Sequence, residues 1–436
     1  MYLSHLAVDD FRSYRHAVVE FEPGVSALIG LNGQGKTNLV EAIAYLATFS
    51  SHRVAADTAL VRAGCDAAVV RAKVHDGDRT SIVEVEILAG RANRARLNRS
   101  PVRTRELLGI VHCVVFAPED LALVKGDPAV RRRFLDELLI QITPRLAGVK
   151  SDYERVLRQR GALLKSARNQ RRAGRGFDTS SLDIWDEQIA DLGSTLIHAR
   201  AGLVRALRPH VVEAYHRVSH GQSQAHIDLH TSILAGDNSP NQTEKLHDRE
   251  WIRGELLAAL HDQRDKEIER AVTLSGPHRD ELMLTLNELP ARGYSSHGES
   301  WSLALALRLA SFELLQAEET TGSPILILDD VFAELDTARR QQLAALVAPV
   351  EQVFITAAVP SDIPAELNAT RYRVSSSTIS GWDEEDREEN HSNDGDLGAK
   401  EEAQSGRGGA AGYGEDGPGD GGQHDGGLDH GGEADE

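Results

Sequence analysis

The stretch Ala27–Ile43, "ALIGLNGQGKTNLVEAI", decides the fold. Gly30, Gly35, Lys36 and Thr37 fit the pattern G-x-x-x-x-G-K-[ST]. An apolar run, "GVSALIG", leads into the glycines, and Leu39, Val40, Ile43 and Leu46 follow at helical spacing. Strand, loop and helix in that order predict a concave site of backbone N–H groups that holds an anion at a helix N-terminus. Lys36 would bring a point charge to β and γ phosphates, and the Thr37 hydroxyl would ligate Mg2+. Such loops serve transporters, kinases, motors and repair clamps alike, so the loop names a ligand and not a task.

The second decisive stretch is Pro324–Asp336, "PILILDDVFAELD". Four apolar residues, Ile325 to Leu328, predict a buried strand with two carboxylates at its end. In loop-type ATPases the strand-end acid helps to hold Mg2+ and a neighbouring acid positions the attacking water. That logic assigns Asp329 to the metal and Asp330, with Lys36, to catalysis.

The rest of the chain frames these motifs. "HLAVDDF" and "AVVEF" predict a short β pair, and "AVVRAKVHD" and "TSIVEVEILAG" two more strands around the turn Asp76–Asp78. From about Pro128 the period becomes helical, through "AVRRRFLDELLIQITPRL", "SDYERVLRQRGALLKSARNQRR" and a long run with Leu182, Trp185, Ile189, Leu192 and Leu196 on one stripe. "RRAGRGFDTSS" reads as a basic connection between two of these helices. Short strands return at "HIDLHTSIL" and "ELMLTLNEL", before a helix beginning near "SSHGES". The fold class is α/β: a mixed β-sheet with a P-loop core, interrupted by an all-helical arm. Boundaries are expected at 1–124 and 226–379 for the two halves of the head, 125–225 for the arm and 380–436 for a tail.

Charge is unevenly spread over the 436 residues. The net charge is −19, but Asp383–Glu436 holds 18 acidic and 3 basic residues, which leaves the body near neutral. This tail also carries fifteen of the 38 glycines and almost no apolar residue, a composition expected to stay disordered. Lys125–Arg175, by contrast, holds 14 basic and 5 acidic residues. Arg131, Arg132, Arg133, Lys150, Arg155 and Arg158 fall there on helical segments and are the candidate DNA phosphate contacts. A second strip, "GRANRARLNRSPVRTR", has six arginines and no acid. No base-reading helix or stacking platform is visible, so backbone contacts to double-stranded, gapped or single-stranded DNA are expected. Two distant cysteines, Cys65 and Cys113, exclude a zinc knuckle or a disulfide framework. No signal peptide and no run of about 18 apolar residues is present, which points to a cytoplasmic protein with no membrane partner; the expected DNA contacts would make it nucleoid-associated.

Six stretches together carry a resemblance: "DDFRSYRHAVVEF", "IGLNGQGKTNLVEAI", "VVFAPEDLALVKGDPAVRRRFLD", "SGPHRDEL", "SSHGESWSLALALRLA" and "LILDDVFAELD". In this order they resemble the RecF family of bacterial recombination mediators, relatives of the SMC-type and ABC-type ATPases. The resemblance implies an ABC-type ATPase head whose ATP site is shared between two subunits of an ATP-dependent homodimer. One subunit would present Arg12, Gly30, Asn32, Gly33, Gly35, Lys36, Thr37, Asn38, Asp329 and Asp330. The other would present its signature, Ser296 and Gly298, and the D-loop Glu334, Leu335 and Asp336. It further implies weak, DNA-stimulated ATP hydrolysis, and indirect dealings with other mediators and with recombinase. Two departures from transporter ATPases favour a slow switch, Asp330 in place of the usual Glu and Thr356-Ala357 in place of a switch histidine; His297 and Glu299 alter the signature and leave only its serine and glycine alike. A transporter subunit is further disfavoured by the 260 positions between Lys36 and Ser296, which contain the basic arm. An SMC or zinc-hook protein would need a longer arm and a Cys-x-x-Cys. A nuclease built on Asp394 and Asp396 would sit in a segment too polar to fold.

Overall fold

Side-chain alternation in the first residues builds the outer sheet. Tyr2–Phe11 pairs antiparallel with Tyr14–Glu20 on one side and with Ala67–Asp76 on the other. Arg79–Leu88, Arg94–Leu97 and Ser100–Val102 extend the sheet to six strands. Asp76 pairs with Arg79 across a two-residue turn whose Gly77 has φ 53°, a conformation glycine adopts without a Cβ penalty.

The computed structural model describes residues 1–54, 56–174, 177–219, 223–234, 240–318 and 322–382. Residues 1–382 pack as one compact unit. The acidic tail expected at 380–436 lies, from Asp383, outside the described residues. The strand Thr378–Gly381 pairs with Thr370–Ser375, so paired backbone runs to Gly381.

A second six-stranded sheet forms the centre, in the order Thr378–Gly381, Thr370–Ser375, Gly24–Ile29, Gln352–Ala357, Ile325–Asp329, Cys113–Phe116. All its pairs are parallel except the outermost hairpin. Parallel strands are covered on both faces, which is why Ile325–Leu328 reads as one uninterrupted apolar run. Successive side chains point to opposite faces. Leu28, Ile325, Ile327 and Phe354 join the P-loop helix Lys36–Thr48 and the outer sheet in one core. Ala27, Ile29, Leu326, Leu328 and Ile355 join the helical layer in the other.

That helical layer is the arm and the helix that follows it. Pro128–Ile142, Leu146–Arg172 and Ser180–Val218 are its long helices, and His297–Ala317 packs against the last. The run "AVRRRFLDELLIQITPRL" is broken in two: the helix stops at Ile142, because Thr143 precedes a proline and leaves helical geometry. Phe134, Leu138, Leu196, Leu203 and Val211 of these helices share a core with Trp301, Leu305 and the central sheet. Further out, Leu164, Ala167, Leu182 and Ile268 form a small cluster of their own. A three-stranded antiparallel sheet, Ala225–His230, Glu281–Leu286 and Leu289–Pro290, closes this side. No helix among the described residues is long and apolar enough to cross a membrane.

Candidate functional site

The site forms at the carboxyl ends of the central strands, where open parallel sheets place their ligands. Gly24–Ile29 delivers the chain to the loop at Gly30, which passes so close to the hairpin that a Cβ there would lie 2.0 Å from the Val374 carbonyl oxygen. Gly35 has φ 111°, and a Cβ on it would meet the Tyr14 ring at 2.9–3.1 Å. Tyr14 is fully buried, and its hydroxyl donates to the Gly35 carbonyl at 3.2 Å. Burial raises its phenol pKa well above the ordinary value, so this donor stays protonated.

Lys36 opens the P-loop helix and is 3% exposed. Its ammonium donates to the carbonyls of Gly30 (2.7 Å) and Leu31 (3.3 Å) and approaches the Asn32 amide oxygen at 3.5 Å. The positive charge therefore sits inside the loop, held by dipoles and, among the described residues, by no carboxylate. Gly33, at φ 81°, and Asn32 lie on the exposed rim. Gln34 is pinned by the C-terminal hairpin: its side-chain oxygen accepts from Ser376 N and its carbonyl from Ser377 N.

Thr37 donates to Asp329 Oδ1 at 3.0 Å across 292 positions of sequence. The same oxygen accepts from the Thr356 hydroxyl at 2.6 Å, and Asp330 N donates to that hydroxyl at 2.8 Å. Thr356, noted in the sequence only as a missing histidine, thus braces both acids. Asp330 holds φ 52°, uncommon for a residue with a Cβ, as happens where a structure fixes a functional carboxylate. Burial, with the charge of Asp330 nearby, raises the Asp329 pKa to about 6. The folded value thus exceeds the unfolded one, near 3.8, and the native state binds more protons between the two. The ligand-free protein should lose stability as pH rises from about 4 to about 6. Asp329→Asn should flatten that slope in urea denaturation series. An equal slope in both proteins would count against the assignment.

Arg12, at φ 53° in the first hairpin, donates through Nε and Nη2 to both oxygens of Glu41 (2.8 and 2.6 Å). Glu41 lies fully buried on the P-loop helix. Burial opposes its charge, yet hydrogen bonds from Arg12 and Ser51 keep its carboxyl below the usual range. Arg53 donates to Asn38 Oδ1 at 3.1 Å, and Asn38 Nδ2 donates to Ser13 at 2.8 Å. Glu41 carried no signal in the sequence. It is an acid on an apolar helix stripe, visible as an anchor only once Arg12 is folded over it.

The signature residues sit elsewhere. Ser296 caps the helix His297–Ala317 through a reciprocal capping box with Glu299. Ser296 and His297 are exposed, and Gly298 faces the Arg339 guanidinium. Asp336 caps the helix Thr337–Val347 and pairs with Arg339 at 3.6 Å, so signature and D-loop adjoin within the chain. Glu334 is exposed and Leu335 is buried.

The basic arm divides. Arg131 is 4% exposed, forked onto Glu281 at 2.6 and 2.8 Å and bonded to the carbonyls of Leu123 and Gly126. This corrects its reading as a phosphate contact: it is a buried tie between the arm and the three-stranded sheet. Arg132 donates to the Asp280 carbonyl, and Arg133 to Glu137 and the Ser51 carbonyl. Among the described residues, Lys150 and Arg155 make only local surface pairs with Glu154 and Asp152. Arg158 is exposed with no ion pair among the described residues. In the hairpin strip, Arg94 and Arg96 face Glu86 and Glu84 and stay exposed.

A P-loop helix between two sheets, an acid pair at the end of the central strand Ile325–Asp329 and a capped signature helix define an ATPase head of the SMC and ABC type. Residues 2–374 match the family described as RecF/RecN/SMC N terminal domain. A protein of Frankia alni named DNA replication and repair protein RecF is 57% identical over 380 residues, covering 87% of this chain and 99% of the relative. A solved structure described as the recombination mediator protein RecF-ATP in the RecFOR pathway superposes with a TM-score of 0.78 at 28% identity, covering 88% of this chain and 98% of that one. An SMC head bound to the C-winged helix domain of ScpA shares the fold at TM-score 0.50 and 17% identity. The chain belongs to the RecF family, DNA replication and repair proteins of the recombination-mediator class.

Proposed function

We propose that this chain is an ATP-dependent, DNA-binding recombination mediator, in which ATP joins two copies head to tail around DNA. The observation that carries the reading is a divided site. Lys36, Thr37, Asp329 and Asp330 converge at one end of the central sheet, while Ser296 stands exposed at the N-terminus of a 21-residue helix. The first amides of such a helix lack intrahelical partners and favour an anion. A γ-phosphate held by the loop of one copy would satisfy the signature of the other. The RecF-ATP structure supports the choice of nucleotide.

The donor set suits magnesium: the Thr37 hydroxyl and the Asp329 carboxylate are hard oxygens already 3.0 Å apart. When bound, magnesium neutralises charge on the phosphates as the terminal one leaves. Lys36 holds the β and γ oxygens in the loop. Asp330 accepts a proton from the attacking water as the γ-phosphorus–oxygen bond to ADP breaks. Its short, braced side chain suits slow hydrolysis that reopens the dimer. Lys150, Arg155 and Arg158, with Arg132 and Arg133 at the base of the arm, supply phosphate contacts for DNA at gaps or stalled forks. Release after hydrolysis would follow the loading of recombinase.

Sedimentation with and without ATP and DNA tests this. The wild type should dimerise in ATP, Asp330→Asn should stay dimeric for much longer, and Ser296→Arg should bind ATP but remain monomeric. DNA affinity should fall steeply between low and moderate salt. A wild type that stays monomeric in ATP and binds DNA without regard to salt would refute the clamp.

A further inference from the structure

A cation is laid against the first turn of the signature helix His297–Ala317. A Cβ built on Gly298 would lie 3.3 Å from both Nη1 and Nη2 of Arg339. The Arg339 guanidinium therefore rests on the backbone of the second residue of the helix, where a glycine leaves it room. Its stem is positioned as well: Arg339 lines one small cavity with Val218, Trp301, Leu305 and Leu335. Arg339 belongs to the helix Thr337–Val347, which starts at the D-loop, and Asp336 caps that helix by accepting from Arg339 N at 2.9 Å.

The charges at this point do not balance within the chain. The first amides of a 21-residue helix carry partial positive charge, and a guanidinium beside them is disfavoured unless an anion joins both. Neither neighbouring carboxylate fills that role. Glu299 is engaged in the capping box, where it accepts from Ser296 N at 2.9 Å. Among the described residues, the one ion pair of Arg339 is with Asp336 Oδ2 at 3.6 Å, longer than a hydrogen bond. Arg339 Nε is buried without a partner, while the side chain as a whole is 30% exposed. A planar set of donors, fixed by its stem and open to solvent beside Gly298, has the chemistry to take a phosphate oxygen.

We propose that Arg339 is a further phosphate-binding residue of the ATP site, acting in trans. Beside the Gly298 amide, it donates to the γ-phosphate held in the loop of the second copy. This rests on the reading of a head-to-tail ATP dimer. The arriving phosphate supplies the anion that both the helix N-terminus and the guanidinium lack. Signature and D-loop helix then grip the nucleotide as one unit, because Arg339 touches the first and belongs to the second.

Sedimentation and ATP turnover of the full chain test this, with wild type, Arg339→Gln, Arg339→Lys and Lys36→Met compared in saturating ATP and Mg2+. Arg339→Gln should dimerise about ten- to a hundredfold more weakly for each site it impairs, the loss of one charge-assisted hydrogen bond. Its monomer should still bind a fluorescent ATP analogue, and its thermal melt should match the wild type. Arg339→Lys keeps the charge without the fork and should recover part of the loss. The deciding measurement mixes Arg339→Gln with Lys36→Met. In such a pair, the intact loop of the first chain meets the intact signature and Arg339 of the second, so dimer and turnover should reappear at one site. No rescue on mixing, with Arg339→Gln alone impaired, overturns action in trans. Wild-type dimerisation in Arg339→Gln overturns the role of Arg339 and leaves the dimer standing. A wild type that stays monomeric in ATP overturns the dimer and this inference with it. A lowered melt in Arg339→Gln, with equal loss of dimer in Arg339→Lys, marks a packing role and overturns the phosphate contact.

Discussion

Lys36→Met should lower ATP affinity by about a hundredfold or more while leaving the fold intact. In the ligand-free protein the ammonium is held by two backbone carbonyls and, weakly, by the Asn32 amide. It forms no ion pair among the described residues, so its removal leaves no buried carboxylate there uncompensated. Three carbonyl-type acceptors lose one donor, and all lie on a loop with an exposed rim where water can replace it. The cost to stability is accordingly about 1 kcal/mol, near that of a single ordinary hydrogen bond. The cost to binding is larger. A charge-assisted hydrogen bond is worth about 1.5–3 kcal/mol, and the β and γ phosphates would each lose one. Two such losses make about 3–6 kcal/mol, or more than a hundredfold in dissociation constant. Equilibrium binding of a fluorescent ATP analogue, beside a thermal melt, separates the two effects. Retained affinity with an unchanged melt would remove Lys36 from the site.

The contrast between Lys36 and Arg131 shows what a sequence discloses and what it withholds. The loop is legible because its strand, turn and helix are contiguous, and because Gly30 is demanded by backbone crowding and Gly35 by its positive φ beside the Tyr14 side chain. The acid pair is legible for a similar reason: a continuous apolar run marks a strand buried on both faces, and charge can begin only at its end. Arg131 offers no such handle. A run of three arginines on one helix turns through a wide arc, so its members face different surroundings. Arg131 points to Glu281, Arg132 to the Asp280 carbonyl and Arg133 to Glu137 and Ser51. Which of them meets solvent depends on a partner about 150 positions away. Glu41 escaped notice for the same reason: it owes its setting to a long-range neighbour, Arg12.

Arg200→Met should destabilise the protein by about 3–5 kcal/mol, the range for removing one member of a buried ionic group. Arg200 is 4% exposed on the long helix. Its guanidinium serves Asp136 of the first arm helix, Asp280 of the stretch "SGPHRDEL" and the Pro277 carbonyl, at 2.6–3.0 Å. That stretch, part of the family resemblance, therefore acts as a clasp that ties the helices Ser180–Val218 and Pro128–Ile142 to the three-stranded sheet. Burial has already raised the Asp280 pKa to about 6 against the pull of Arg200. Without the cation Asp280 is more readily protonated in the native state, so the penalty should be smaller at pH 5 than at pH 8. Neutralising the acids as well, in Arg200→Met with Asp136→Asn and Asp280→Asn, should recover much of the loss at pH 8. Urea denaturation at both pH values reads these differences directly. A pH-independent loss with no recovery would mean that Arg200 contributes packing and not charge. The same clasp positions the helix bearing Arg132 and Arg133, so the destabilised variant should also bind DNA less tightly under conditions in which it remains folded.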